Sequence, residues 1–270
     1  MSNRNYQYLD PDFSPEKANE YTLLVKADNT HFSFAIITGN KLLVLAEGLD
    51  VSELSGPADE NDILFKSYGQ STIGLSVEAF TFVPVSLFNP DKVADFARFL
   101  DVQGTEKVFS QPFDADNQVI FKAGDPLLNT ITDKFDQKNI VFAPKGWVAA
   151  IRSQSSKNRL YLDIGTDRVE ILNFSDGKLR FYNGFEFQNE DELVYFTSFV
   201  AGELQLATDE ITLILSGEVG ADDKNHTRLG EFFNKVELSR TAVVDLPAQF
   251  PSHSFLALTA LTLCGSSGAH

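Results

Sequence analysis

The chain has 270 residues, room for one large domain or two smaller ones, and its 43% hydrophobic content supports a core and excludes wholesale disorder. Its net charge of −16 disfavours nucleic acid and anionic membrane surfaces, both of which attract basic patches. One cysteine, Cys264, excludes an intrachain disulfide and a cysteine-rich zinc site, and the four histidines show no metal-ligand spacing. Cys264 closes the apolar run LALTALTLC, which reads as a buried core thiol. No charged-then-apolar leader opens the chain and no apolar run reaches membrane-spanning length, so a cytoplasmic protein without membrane insertion is expected.

Residues 1–20 are polar and carry two prolines, and they read as an irregular arm. Tyr21 to Lys26, Phe32 to Thr38 and Lys41 to Glu47 read as three strands, the last two joined by a Gly39-Asn40 turn. Residues 48–72 are loop-rich. Ala79 to Val83 is a strand ended by Pro84, which cannot donate to a ladder. Asn89 then caps a helix with Pro90 in its first turn. Val93, Phe96, Ala97 and Leu100 give that helix one apolar face, and Gly104 ends it. Val119 to Lys122 reads as a strand, Pro126 to Phe135 as a helix and Ile140 to Ala143 as a buried strand. Pro144-Lys145-Gly146 forms a turn, as a ligand contact or as a plain turn beside a packed aromatic, and Trp147 to Ile151 continues the chain. Arg152 to Asn158, RSQSSKN, reads as a linker, with 153–158 as its centre.

The stretch Arg159 to Phe187 repeats the three-strand pattern: Leu160 to Ile164, Val169 to Phe174, then Leu179 to Asn183 after an Asp176-Gly177 turn. Lys41 aligns with Lys178 at an offset of 137 residues, and the alignment runs without a gap back to Leu23 and Leu160. The ungapped offset and the shared turn favour an internal repeat over two unrelated meanders. Asn189 starts a helix, with Glu192 as its capping-box partner. Leu193, Phe196, Phe199, Val200 and Leu204 form its stripe, whose Phe196 and Phe199 face is expected to dock on the second sheet. Ile211 to Leu215 is a strand, Ser216 to Gly220 a turn, Asn225 to Phe233 a helix, Ala242 to Leu246 a strand, and Phe255 to Cys264 a closing helix.

Three strands, helix, strand and helix, given twice, resemble the duplicated layout of the actin, sugar kinase and heat-shock chaperone ATPase superfold. AFTFVPVSLFNPDKVADFARFL resembles the strand, Val-Pro and helix unit of its first lobe. LYLDIGTDRVEIL resembles its second phosphate loop, ITLILSGEVG its adenosine loop and FPSHSFLALTALTLC its closing helix. In detail the chain resembles an uncharacterised bacterial family of this fold, and pilus-assembly actin-like proteins in being small. The resemblance implies an α/β protein of two lobes flanking a cleft, each with a mixed sheet opened by a three-strand meander. With the arm at 1–20, the first lobe is expected over 21–152 and the second over 159–270.

The resemblance also implies a nucleotide site in which an Asp-x-Gly turn from each lobe organises magnesium. The second lobe keeps Asp163, Gly165 and Thr166, and its adenosine loop keeps Gly217. Asp163 reads either as that metal-organising carboxylate or as a solvated strand-end residue. The ungapped repeat puts Lys26 where Asp163 sits and Asp28 where Gly165 sits, while Glu218 stands where a second glycine is usual. Lysine offers no oxygen to magnesium. Asp28 is expected to project a carboxylate toward an approaching phosphate, or to stand in for the missing aspartate through a register shift of two. Three functions stay open: a non-catalytic scaffold acting through an unidentified protein partner with no cofactor; an ATPase or kinase with Mg-ATP at Asp163; and a nucleotide-sensing module in which Lys26 pairs with a phosphate.

Overall fold

The computed structural model describes residues 6–54 and 62–264. The chain divides into two compact units, Met1–Gly146 with Leu261–His270, and Trp147–Ala260. The boundary lies ahead of the expected linker because Trp147 already packs edge-on against Tyr182, at 6.4 Å between ring centroids. Leu261 belongs with the first unit because it lies against Gly74, where an added Cβ would come within 2.7 Å of its side chain.

In chain order the first unit contains β1 (Tyr8–Leu9), β2 (Thr22–Ala27), β3 (His31–Thr38), β4 (Lys41–Asp50), β5 (Gln70–Leu75) and β6 (Phe80–Pro84). These are followed by α1 (Val93–Ala97), β7 (Lys107–Pro112), β8 (Asn117–Ala123), α2 (Asp125–Thr132) and β9 (Ile140–Phe142). The main sheet has the order β1-β4-β3-β2-β5-β9, and a second sheet has the order β6-β8-β7. β2 is antiparallel to β3 and parallel to β5, and it is apolar on both faces because it lies inside the sheet. Leu127, Leu128 and Ile131 of α2 join its core. Gln111 of β7 ties the small sheet to β9: its Nε2 donates to Ile140 O at 2.7 Å and its Oε1 accepts from Phe142 N at 3.2 Å.

Helix α3 (Pro144–Arg152) carries the chain across the boundary. Beyond it lie β10 (Arg159–Ile164), β11 (Arg168–Ser175), β12 (Lys178–Glu186), α4 (Glu190–Glu203), β13 (Thr212–Gly217), α5 (Lys224–Gly230), β14 (Lys235–Leu238) and α6 (Leu256–Thr259). The sheet order is β12-β11-β10-β13-β14. β2 and β3 have the bounds of β10 and β11 moved by 137 residues, from Thr22 to Arg159 and from His31 to Arg168. Even the β-bulge recurs: the ladder slips between Ile36 and Ile37 in one meander and between Asn173 and Phe174 in the other. At the turn Asp176 (φ 53°) and Gly177 (φ 73°) are both left-handed, as the Asp-Gly pair requires.

Several expectations are corrected. The arm contains β1 and a 3₁₀ turn over Pro15–Glu20. In the span read as loop, β4 runs on to Asp50 and β5 starts at Gln70, while 55–61 lie outside the described residues. β7 has no sequence signature, since its half-exposed alternation depends on pairing with β8. The turn expected at Pro144-Lys145-Gly146 is the first turn of α3, which runs on through Trp147 to Ile151: Pro144 suits a first turn, and Ala149 and Ala150 favour helix once the segment leaves the sheet. The first-lobe helix is a short α-helix between 3₁₀ turns, and it ends at left-handed Asp101 before Gly104 is reached. The strand expected over Ala242 to Leu246 is replaced by β14, because Lys235–Leu238 takes the free edge of β13 in parallel register.

Helix α4 starts as expected. Asn189 Oδ1 accepts from Asp191 N and Glu192 N, and Glu192 Oε2 accepts from Gln188 N. Its inward face consists of Leu193, Val194, Thr197, Val200 and Ala201. Phe196 is half-buried and Phe199 is 49% exposed, so the expected docking of a Phe199 face does not occur. A 3.6-residue rotation turns Phe199 away once Val194 and Ala201 take the core positions.

Candidate functional site

The parallel register of β10 and β13 sets Asp163 beside Ser216 and Ile164 beside Gly217. The loops that follow both strands leave from one end of the sheet, so four residues selected from the sequence (Asp163, Gly165, Thr166 and Gly217) lie together in the second unit. Asp163 is 8% exposed, and its Oδ1 accepts from Ser216 Oγ at 2.8 Å. The solvated strand-end reading is thus corrected: pairing on both sides of β10 buries the carboxylate. Gly165 N donates to Arg168 O at 2.8 Å and closes the turn.

Gly217 has φ +89°, and an added Cβ would lie 2.2 Å from Ile164 O, so no other residue fits there. That kink points Glu218 back over β10. Glu218 N donates to Ile164 O at 2.6 Å, and Thr166 Oγ1 donates to Glu218 Oε2 at 2.8 Å. The two loops are therefore bridged by a polar contact across the site. Sequence reasoning missed Ser216 and His253. Ser216 is a polar residue closing an apolar strand, which is a usable signal. His253 accepts from Gly217 N through its carbonyl at 2.9 Å, and its Nε2 lies 2.9 Å from Val219 O; nothing local in the sequence marks it.

The first unit presents the same strand end with different chemistry. Lys26 is half-buried and sits opposite Ser33 and Gly74, as Asp163 sits opposite Glu170 and Ser216. Asp28 N donates to His31 O at 2.9 Å, the counterpart of the Gly165 contact. The Asp28 carboxylate does not project outward. Its Oδ1 accepts from Thr30 N at 2.7 Å, Thr30 Oγ1 at 2.8 Å and His31 N at 2.8 Å, which is a turn-closing role. The register of β2 on β3 equals that of β10 on β11, so no shift of two brings Asp28 into the place of Asp163. Among the described residues, no three His, Cys, Asp or Glu side chains converge as a metal group. Within the second unit Asp163 offers one carboxylate, already bonded to Ser216, and at the corresponding strand end of the first unit Lys26 offers no oxygen to a metal.

The fold is that of the actin-like ATPases. A Bacteroides thetaiotaomicron protein with actin-like ATPase fold and unknown function superposes with TM-score 0.77 at 19% identity, covering 93% of this chain and 98% of its own. A PilM–PilN type IV pilus biogenesis complex gives TM-score 0.57 at 14% identity, over 90% of this chain and 98% of that one. The sequence belongs to the family described as protein of unknown function DUF3822, whose profile matches residues 10–236. No curated protein matches the sequence. Among the described residues no helix is long and apolar enough to cross a membrane.

Proposed function

We propose that this chain is a non-catalytic actin-like scaffold that acts in the cytoplasm through a protein partner, and that its two meanders descend from an internal duplication. The observation that carries the reading is Lys26 at the strand end where the second unit has Asp163, with β2 on β3 in the same register as β10 on β11. Phosphoryl transfer depends on positioning and on stabilising phosphate charge with metal and donors. A cation in one unit and the Thr166–Glu218 bridge in the other remove both supports. PilM, a protein of this fold, is found in complex with PilN, and a role of that kind fits a chain that keeps the fold without the chemistry.

One observation favours a second reading, a nucleotide-binding module. Asp163, Gly165 and the kinked Gly217 keep the shape of a phosphate-facing loop in the second unit. Calorimetric titration with Mg-ATP separates the two. The scaffold reading expects no saturable heat at millimolar nucleotide. Binding that is lost in Asp163→Ala, with steady turnover, would make the chain an ATPase; binding without turnover that is lost in Lys26→Ala would make it a sensor.

A further inference from the structure

The two meanders share their strands but not their outer edges. In the first unit β1 runs antiparallel along β4, pairing Tyr8 with Leu45 and Leu9 with Val44. Gln7 N donates to Leu45 O at 3.0 Å and Asp10 N to Leu43 O at 2.8 Å. Lys41, at the start of β4, holds this segment through Asp10 at 3.0 Å and Asp12 at 2.8 Å.

In the second unit the counterpart of β4 is β12, and among the described residues no strand pairs with its other side. The matching features are present on it. Because the bulge recurs, Arg180 corresponds to Leu43 and Tyr182 to Leu45, the positions whose carbonyls accept β1. Lys178 corresponds to Lys41, and both Lys178 and Arg180 are exposed. Arg180 Nη2 donates to Leu204 O at 2.8 Å, which leans its side chain toward the end of α4. Phe185 of β12 stacks on Phe196 of α4 at 5.0 Å, and this contact continues into Tyr195 and Phe199, whose rings stack at 6.4 Å and are exposed. An open strand edge beside an apolar surface is a site for strand addition, in which the main chain supplies affinity and flanking side chains supply selectivity.

We propose that β12 accepts an extended segment of a partner protein, antiparallel as β1 is to β4, with an aromatic–aliphatic pair followed by carboxylates that meet Lys178. The partner is acidic at that end because Lys178 and Arg180 form a local basic pair in a chain of net charge −16. The inference rests on the partner-dependent scaffold reading and names where that partner docks.

The test uses the full chain and a labelled peptide with the sequence of residues 6–12, the segment that already fills the equivalent edge. Anisotropy should show saturable binding, and hydrogen exchange should slow at residues 180–182. Lys178→Glu, an exposed charge reversal, and Arg180→Pro, at a bulge position with no partner in β11, should each weaken binding about tenfold or more. Absence of binding at about 1 mM peptide, protection at β4 instead of β12, or undiminished binding by both variants overturns the proposal. Mg-ATP turnover is measured on the same samples. Turnover would overturn the scaffold reading, and the peptide result would still decide whether the β12 edge binds.

Discussion

Thr166 donates its hydroxyl to the Glu218 carboxylate at 2.8 Å, joining the loops that follow β10 and β13. The bridge puts a negative charge on the loop after β13, whose sequence resembles an adenosine loop. Glu218→Gln keeps an acceptor for Thr166 and removes the charge. A like charge a few ångströms from a polyanion costs on the order of 1 kcal/mol in a partly screened site. Glu218→Gln should therefore raise any residual Mg-ATP affinity several-fold without creating turnover, as read by calorimetry and phosphate release.

Ser216 is the hydrogen-bond partner of a buried carboxylate. Ser216→Ala leaves Asp163 Oδ1 without that donor and should lower stability by about 1–3 kcal/mol. The check is the urea midpoint at unchanged slope.

Two glycines at the site should behave differently. Gly217→Ala must adopt φ near +89° and meets the Ile164 backbone, so a loss on the order of 3 kcal/mol is expected. Gly165 has ordinary φ and its added Cβ would lie 3.3 Å from Arg168 O, in a turn that the first unit closes with Asp28. Gly165→Ala should cost about 1 kcal/mol or less. Equal losses in thermal or urea unfolding would show that the kink at 217 is not what confines the loop.

Along α4, Leu193→Ala should cost about 2–5 kcal/mol, since Leu193 is fully buried in the second core. Phe199→Ala should change the denaturant midpoint little, because half of its ring faces solvent. A large loss at Phe199 would mean that its ring packs inward.

The N-terminal strand should loosen in acid. The Tyr8 hydroxyl, the Asp12 amide and the Lys41 ammonium hold the buried Asp10 carboxyl below its ordinary value of 3.8. A depressed carboxyl contributes stability that is fully present above its unfolded pKa and is lost as pH falls through the folded one. Amide protection factors at residues 7–10, referred to the intrinsic exchange rate at each pH, should thus be high at neutral pH and should fall below about pH 4, ahead of those in β2. Asp10→Asn should remove most of that acid dependence.

The sequence alone was enough for the meanders, because their information is local. Alternating β-branched runs and an Asp-Gly turn fix strand and hairpin, and the 137-residue offset matches Lys26 to Asp163. Asn189 and Asn89 likewise announced their helices through caps. Asp163, Gly165, Thr166 and Gly217 were also legible, as a strand-end turn and a glycine kink. Partnership was not legible. Whether Asp28 faces a ligand or its own turn depends on three hydrogen bonds with Thr30 and His31, and whether Glu218 is free or joined to Thr166 depends on the parallel pairing of β10 with β13. Tertiary structure also decided the elements whose own sequences are neutral. β7, β14 and β1 are strands because an edge was available to pair with, α3 is a helix because its segment leaves the sheet, and Phe199 is exposed because Val194 and Ala201 reach the core first. Local propensity is worth tenths of a kcal/mol per residue, whereas an unpaired edge or a buried side chain is worth about one or more, so wherever the two compete the long-range term decides.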